Sequence, residues 1–576
     1  MLTIWLLTAP ARADWPVGDE IPSGITADVT PEGLDAIGGL LPAALPSEVA
    51  IPEVHEYDEG GCIFGLCAYE YDLDVTNGTA YIAFDSLDIE PATGVLNLTV
   101  RVEPSVNSAA DPMRLDVDAT GLEIIDISES CDVWVEPILI ELEATIALAL
   151  VNGTVEATVP PLDWSWDLQD DDIVLDNCFV ADVFDVLGFF GVTPASLIGP
   201  TVENEIDDLV AGLAPTIEAA LEEAFASVSV VEGEVDLLGA PLVYSLEPDE
   251  LTIVPDGVRI GFGTTFTTEP HPCVAQYGIT ESLATTGMAP PIGSWPDSIP
   301  YTPHMAINAD DDMINQALFA VWQSGILCQT IDSASAADLG LPIAIDAGLL
   351  DLLAPDVYTA IVAEDGPLII GVAPRLPPTA SPQGDHDVNV AMRELGVDFL
   401  GEVDGRIVRL VGVDLEVDAG ADLTFDDTTG LLAIAVALED DAIDATVGFN
   451  ELAPDASASI ASSFTNLFNT LVGPVLTGAL GDLTFPMPAF LGHGITALDV
   501  APTGNLDLDA SGGQGDHLGV YGTLGPVTYV ATGCGCTEDP YASEGTSCDT
   551  STSRGTSFLG LLTLAAVARR RKVAGR

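Results

Sequence analysis

Two long stretches with an apolar residue every three or four positions stand out in a chain that otherwise alternates every two. Over 195–225 the residues Ile198, Val202, Ile206, Leu209, Leu213, Ile217 and Leu221 share one helical face. Pro200 and Pro215 fall inside that stretch and imply a kink. Over 460–480 the design recurs as Ile460, Phe464, Leu467, Leu471, Val475 and Ala479, with Gly473-Pro474 at the kink. Each predicted helix follows a run of strands, so the chain reads as two similar halves rather than a short regular repeat.

The strands themselves are legible. From Ile138 to Val159, Ile138, Ile140, Leu142, Ala144, Ile146, Leu148 and Leu150 fall on one face and Glu141, Glu143 and Thr145 on the other. Asn152-Gly153 supplies the positive-φ turn of a hairpin, after which Val155, Ala157 and Val159 resume the alternation. Further strands are predicted at 96–102, 228–238, 251–262 and 407–417. One face of such strands is wet; the other must meet a core, a helix or a ligand. Residues 268–303 carry seven prolines and read as a semi-rigid linker. The predicted fold class is α+β, with halves at 14–267 and 304–530.

Composition narrows the partners. With 48% hydrophobic residues the chain is too apolar for simple disorder, yet its formal net charge is −77. The only lysine is Lys572, and between Asp14 and Gly533 the basic residues are seven arginines, Arg101 and Arg114 among them. Such a chain cannot neutralise phosphates by releasing counterions, which argues against nucleic acid. The acidic runs Asp170-Asp171-Asp172 and Asp310-Asp311-Asp312 lack EF-hand spacing and read as solvated loops or helix caps, so neither a metal nor a cofactor is assigned. No G-x-S-x-G, H-E-x-x-H or phosphate-cradling glycine loop is present, and the six histidines are scattered. No catalytic residue is assigned, and a non-enzymatic protein is expected. Oligomeric state is left open.

Both ends read as address labels. Residues 1–13 form an apolar segment closing on Ala11-Arg12-Ala13, a small-x-small cleavage pattern, without the basic n-region that a start further upstream would supply. Residues 531–576 contain Cys534 and Cys536, a Ser/Thr-rich spacer, an apolar run from 558 to 568 and the cluster Arg569-Arg570-Arg571-Lys572. This order resembles the C-terminal sorting tails of exported myxobacterial proteins. The resemblance implies removal of the tail and attachment to the outer membrane surface at Cys534 or Cys536, hence a cell-surface or extracellular protein. Export in turn favours disulfides among Cys62, Cys67, Cys131, Cys178, Cys273 and Cys328. Cys62 and Cys67 are the easiest local pair; the remaining connectivity is open.

Three segments in order carry a second resemblance: Gly24-Ile25-Thr26-Ala27-Asp28-Val29-Thr30-Pro31-Glu32-Gly33-Leu34-Asp35; the stretch from Asp311 to Leu327 containing Asn315-Gln316-Ala317 and closing at Gly325; and Phe485-Pro486-Met487-Pro488 before a strand at 494–500. Together they are similar to the family of bactericidal/permeability-increasing protein, lipopolysaccharide-binding protein and cholesteryl ester transfer protein. The resemblance implies an elongated boomerang of two tubular barrels, each a twisted antiparallel sheet wrapped on a long kinked helix, joined by a central sheet. It further implies apolar grooves that hold acyl chains. At ~0.8 kcal/mol per buried CH₂, a chain of about sixteen carbons needs ~12 kcal/mol of matching apolar surface.

Candidate wall residues are Leu34, Ile37 and Leu41 on the first helix and Ile198, Val202, Ile206, Leu209 and Leu213 on the long one, with ordinary core packing as the alternative for each. Because the expected barrels contain no lysine, neutral or weakly charged lipid is expected rather than phosphorylated glycolipid. The competing readings are a surface structural or adhesive protein with filled barrels, and an exported hydrolase.

Overall fold

The computed structural model of the protein describes residues 20–526 apart from 40–41, 43–46, 61–68, 122–124, 163–168, 170–171, 178–193, 227–230, 238–239, 278–288, 339–344, 356, 359–360, 364–365, 383–385, 439–441, 472–483, 487–488, 491–492 and 504–515. The predicted signal segment, the tail with Cys534 and Cys536, Leu41, Cys62, Cys67, Cys178 and the Gly473-Pro474 kink therefore lie outside the described residues.

In chain order the strands are β1 (Ile21–Val29), β2 (Glu48–Ile51), β3 (Val54–Gly60), β4 (Tyr69–Thr76), β5 (Gly78–Ala92), β6 (Val95–Val106), β7 (Met113–Gly121), β8 (Ile125–Val135), β9 (Ile140–Val151), β10 (Thr154–Thr158), β11 (Ile173–Asp176), β12 (Val231–Leu237) and β13 (Ala240–Val254). They continue as β14 (Gly257–Thr267), β15 (Met305–Asp310), β16 (Gln329–Ile331), β17 (Leu368–Pro374), β18 (Thr379–Ser381), β19 (Val388–Val403), β20 (Arg406–Asp426), β21 (Leu431–Ala437), β22 (Ile443–Phe449), β23 (Thr484–Pro486), β24 (Ala489–Phe490), β25 (His493–Thr503) and β26 (His517–Pro526). The helices are α1 (Pro31–Gly38), α2 (Pro194–Ala226), α3 (Asp311–Gln323), α4 (Ser333–Asp338), α5 (Leu349–Leu353) and α6 (Ser457–Leu471). The chain is thus mostly sheet with few helices, and its contacts divide into two compact units.

The smaller unit comprises residues 31–228 and 253–257. Its curled ten-stranded sheet is antiparallel throughout, with β10-β9-β6-β8-β7-β4-β3 as its main path. β5 lies along the other side of β6, β2 adds to β5, and β11 pairs with β8. Alternation puts Leu96, Leu98, Val100 and Val102 of β6 on the buried face. In β5 the buried set shifts from Ala80 and Ile82 to Leu87 and Ile89, because a bulge between Phe84 and Ser86 moves the pairing by one residue. The Asn152-Gly153 hairpin forms as expected, with φ of 51° and 75° joining β9 to β10. α1 packs on β5, where Gly38 lies so close that a Cβ would come within 2.5 Å of the Leu87 carbonyl oxygen. α2 packs on β10, β2 and β5.

The larger unit comprises 1–30, 229–252 and 258–576. Its first eight-stranded sheet runs β12-β13-β14-β1-β15-β26-β25-β24. Strands from both sides of the proline-rich segment therefore share one sheet, whereas sequence alone places a boundary there. Arg259 donates to Asp28 across β14 and β1 through Nε and Nη2 at 2.7 and 2.6 Å, and also to the Pro290 carbonyl at 2.6 Å. Burial pushes the Asp28 carboxyl up against the lowering effect of Arg259. Within the segment expected as a linker, the described residues from Pro290 to Tyr301 lie against this sheet. Ile299, Trp295 and Tyr301 pack with Ala306, Ala501 and Tyr521, and Cys273 is disulfide-bonded to Cys328.

One predicted strand is corrected. Residues 251–262 are the end of β13, a turn at 255–256 and the start of β14, so the stretch is a hairpin tip. Pro255-Asp256-Gly257 is the local signal for that turn.

The second eight-stranded sheet of the larger unit follows β16-β17-β19-β20-β21-β23, with β18 on β19 and β22 on β20. Its inner face is filled by its own chain. Leu350 and Leu353 of α5, then Tyr358 and Val362, join Leu410, Val413 and Leu415 of β20 and Ile460 and Phe464 of α6 in one buried cluster. Phe399 and Phe464 meet edge to face at 6.0 Å, and the Tyr358 hydroxyl donates to Asn450 Oδ1 at 3.1 Å.

Candidate functional site

The long helix α2 spans 33 residues, as one element through both Pro200 and Pro215. Its apolar stripe settles onto the sheet: Val202, Ile206, Val210, Leu213, Ile217 and Leu221 are each no more than 2% exposed. Of the candidate wall residues, Leu34, Val202, Ile206 and Leu213 are thus fully packed, and Ile37 is half-buried. Ile198 and Leu209 lie on α2 by sequence position, and Leu41 is outside the described residues. The packed residues belong to two helices, α1 and α2, that both rest on β5.

Among the described residues, open space lies beside that stripe. A cleft of about 480 Å³ runs between one flank of α2 and the chain leaving β10. The helix contributes Asp207, Ala211, Ala214, Pro215 and Glu218; the opposite wall is Val159, Pro161 and Leu162. Three local causes shape it. Ala211 and Ala214 leave room where longer side chains would close it. Pro215 has no N–H to give the Ala211 carbonyl, and next to it the Thr216 hydroxyl donates back to the Gly212 carbonyl at 2.7 Å. Glu218 Oε2 accepts the Val159 N–H at 3.1 Å, holding the two walls at a set separation.

The cleft residues were not singled out from sequence, because the periodicity that reveals a helix weights its most apolar face. The available signal was the pair of alanines flanking a proline inside a helix. The two arginines of this unit are engaged elsewhere: Arg101 with Glu141 at 2.8 Å and Arg114 with Asp116 at 3.5 Å.

Three groups of potential metal ligands lie close together among the described residues, and each has a structural role. Cys273 and Cys328, near His271, are spent on their disulfide. His55 Nδ1 sits 2.8 Å from Asp74 and 3.3 Å from Asp72 as an exposed cross-strand pair. Asp310 caps α3 by accepting the Asp312 N–H at 2.8 Å, and Asp311 and Asp312 are buried beside it rather than solvated. Cys131 is also disulfide-bonded. No helix among the described residues is long and apolar enough to cross a membrane.

No family model matches the chain, and no curated protein matches it. Among solved structures it is similar to the crystal structure of lipopolysaccharide binding protein, at 11% identity and a TM-score of 0.46, over 88% of this chain and 100% of that one. It is also similar to the crystal structure of P47 of Clostridium botulinum E1, at 8% identity and a TM-score of 0.25, with the same coverage. Likeness at this level carries nothing about function, which rests on the geometry above.

Proposed function

We propose that the chain is an exported, surface-associated lipid-binding protein that holds acyl chains of neutral or weakly charged lipid, by binding and not by catalysis. The observation that carries this reading is the cleft beside α2. Its volume of about 480 Å³ falls within the ~300–1,000 Å³ of typical small-molecule sites. Six of its eight lining residues are apolar, and it lies along a helix edge where an extended chain could enter from the side. The capacity is assigned to the smaller unit, since the inner face of the second sheet is filled by Leu350, Leu353, Tyr358 and Val362 with Ile460 and Phe464 of α6.

Organic extraction and native mass spectrometry of the purified protein test the reading. Wild type should carry or take up lipid; Ala211→Trp, at an exposed helix position, should lose it with circular dichroism unchanged. Wild type that neither carries nor takes up lipid would reject the proposal. A second reading, a structural or adhesive protein with filled barrels, is favoured by the complete burial of Val202, Ile206 and Leu213. Under that reading Ala211→Trp changes nothing.

A further inference from the structure

We propose that the cleft selects amphiphiles whose headgroup is a cation, an alkyl ammonium rather than a phosphate or carboxylate. This rests on the lipid-binding reading above and adds the headgroup class. The side chains that line the cleft include two carboxylates, Asp207 and Glu218, and neither a positive charge nor a hydrogen-bond donor.

Asp207 and Glu218 are eleven residues apart, about three turns and roughly 16 Å along one side of the helix. They therefore bracket the apolar stretch formed by Ala211, Ala214 and Pro215. Glu218 is half-buried and partly committed to the Val159 N–H, whereas Asp207, at the other end of the lining, is exposed. An anionic headgroup here would face like charges with Arg101 and Arg114 already ion-paired elsewhere. An ammonium meets acceptors that need one, beside an apolar wall that takes its chain.

The test is calorimetric titration of the intact protein with hexadecylamine, hexadecanol and hexadecanoate, each below its micellar concentration and at physiological salt. The amine should bind at least about fivefold more tightly than the alcohol, with the carboxylate weakest. Asp207→Asn should erase the amine's advantage and leave the alcohol unchanged. At physiological salt the general attraction of the surface for cations is screened beyond ~8 Å, and one charge removed from a net −77 barely changes it, so that comparison isolates the cleft. Glu218→Gln, which keeps an acceptor for Val159, should do the same in part. An amine preference that survives both substitutions, or equal affinity for all three probes, would overturn the headgroup inference and leave lipid binding standing. If no probe binds wild type, the lipid-binding reading itself fails.

Discussion

At the scale of single residues the most consequential side chain is His517, which is 1% exposed at the start of β26. Its Nδ1 lies 2.8 Å from Asp516, and its Nε2 lies 3.4 Å from Asp310, the N-cap of α3. Burial alone would lower its pKa, but the Asp516 hydrogen bond and the charges of Asp310, Asp516 and Asp311 outweigh it and raise the value above 6.5. A raised imidazole pKa means that the folded state holds its proton more tightly than the unfolded chain. The resulting stability is complete below about pH 6.5, the unfolded value, and is lost as pH climbs through the folded one. Chemical denaturation of wild type and His517→Gln should therefore show a gap that is widest near pH 6 and narrows toward pH 8. A gap that widens with pH would contradict the assigned charge.

At the scale of elements, α2 sets stability against space. Proline inside a helix costs ~3 kcal/mol through its missing N–H and its clash with the preceding turn. Replacing Pro215 with Ala restores a donor for the Ala211 carbonyl, and the stability should rise by about 1 kcal/mol, less than the full cost because the helix has already adapted. The same change relaxes the flank that forms the cleft, so lipid uptake should fall while the denaturant midpoint rises. Unchanged or lower stability would show that the proline fits its site without strain. The packed stripe behaves differently: a larger residue at the buried Val202 or Ile206 overpacks the interior, unlike one at the exposed Ala211.

Across the whole molecule, charge is the dominant long-range term. The register of β4 and β7 sets Asp72 opposite Asp118 and Asp74 opposite Asp116, like charges face to face. With a net charge of −77 such repulsions recur over the surface. Salt shortens their reach from ~30 Å at 0.01 M to ~8 Å at physiological strength. The calorimetric midpoint should therefore climb by several degrees between those conditions; a flat midpoint would mean that the repulsions persist equally in the unfolded chain. Opposing them is the Cys273–Cys328 disulfide, with a sequence separation of 55. In the chain-entropy account, a loop of that length is worth about 4 kcal/mol.

What the sequence determined by itself was whatever neighbours along the chain decide. The 3.6 period from 195 to 225 became α2, the alternation around Asn152-Gly153 became the β9–β10 hairpin, and Gly325, at φ 75°, lies just past the end of α3. The turn inside 251–262 was equally local, in Pro255-Asp256-Gly257, and was obscured by the stronger apolar alternation on either side. Only the tertiary structure decided which strands meet. β1 lies between β14 and β15, so that Asn308 donates to Thr26 across 282 residues of chain, and nothing in either strand's periodicity names its partner. It also decided that Leu350, Leu353, Tyr358 and Val362 fill the second sheet and that a cleft lies on the flank of α2. Periodicity records which face of a helix is apolar. Whether that face meets a strand or a void depends on the volume and position of residues distant in sequence, here Val159, Pro161 and Leu162 facing Ala211 and Ala214 across the cleft.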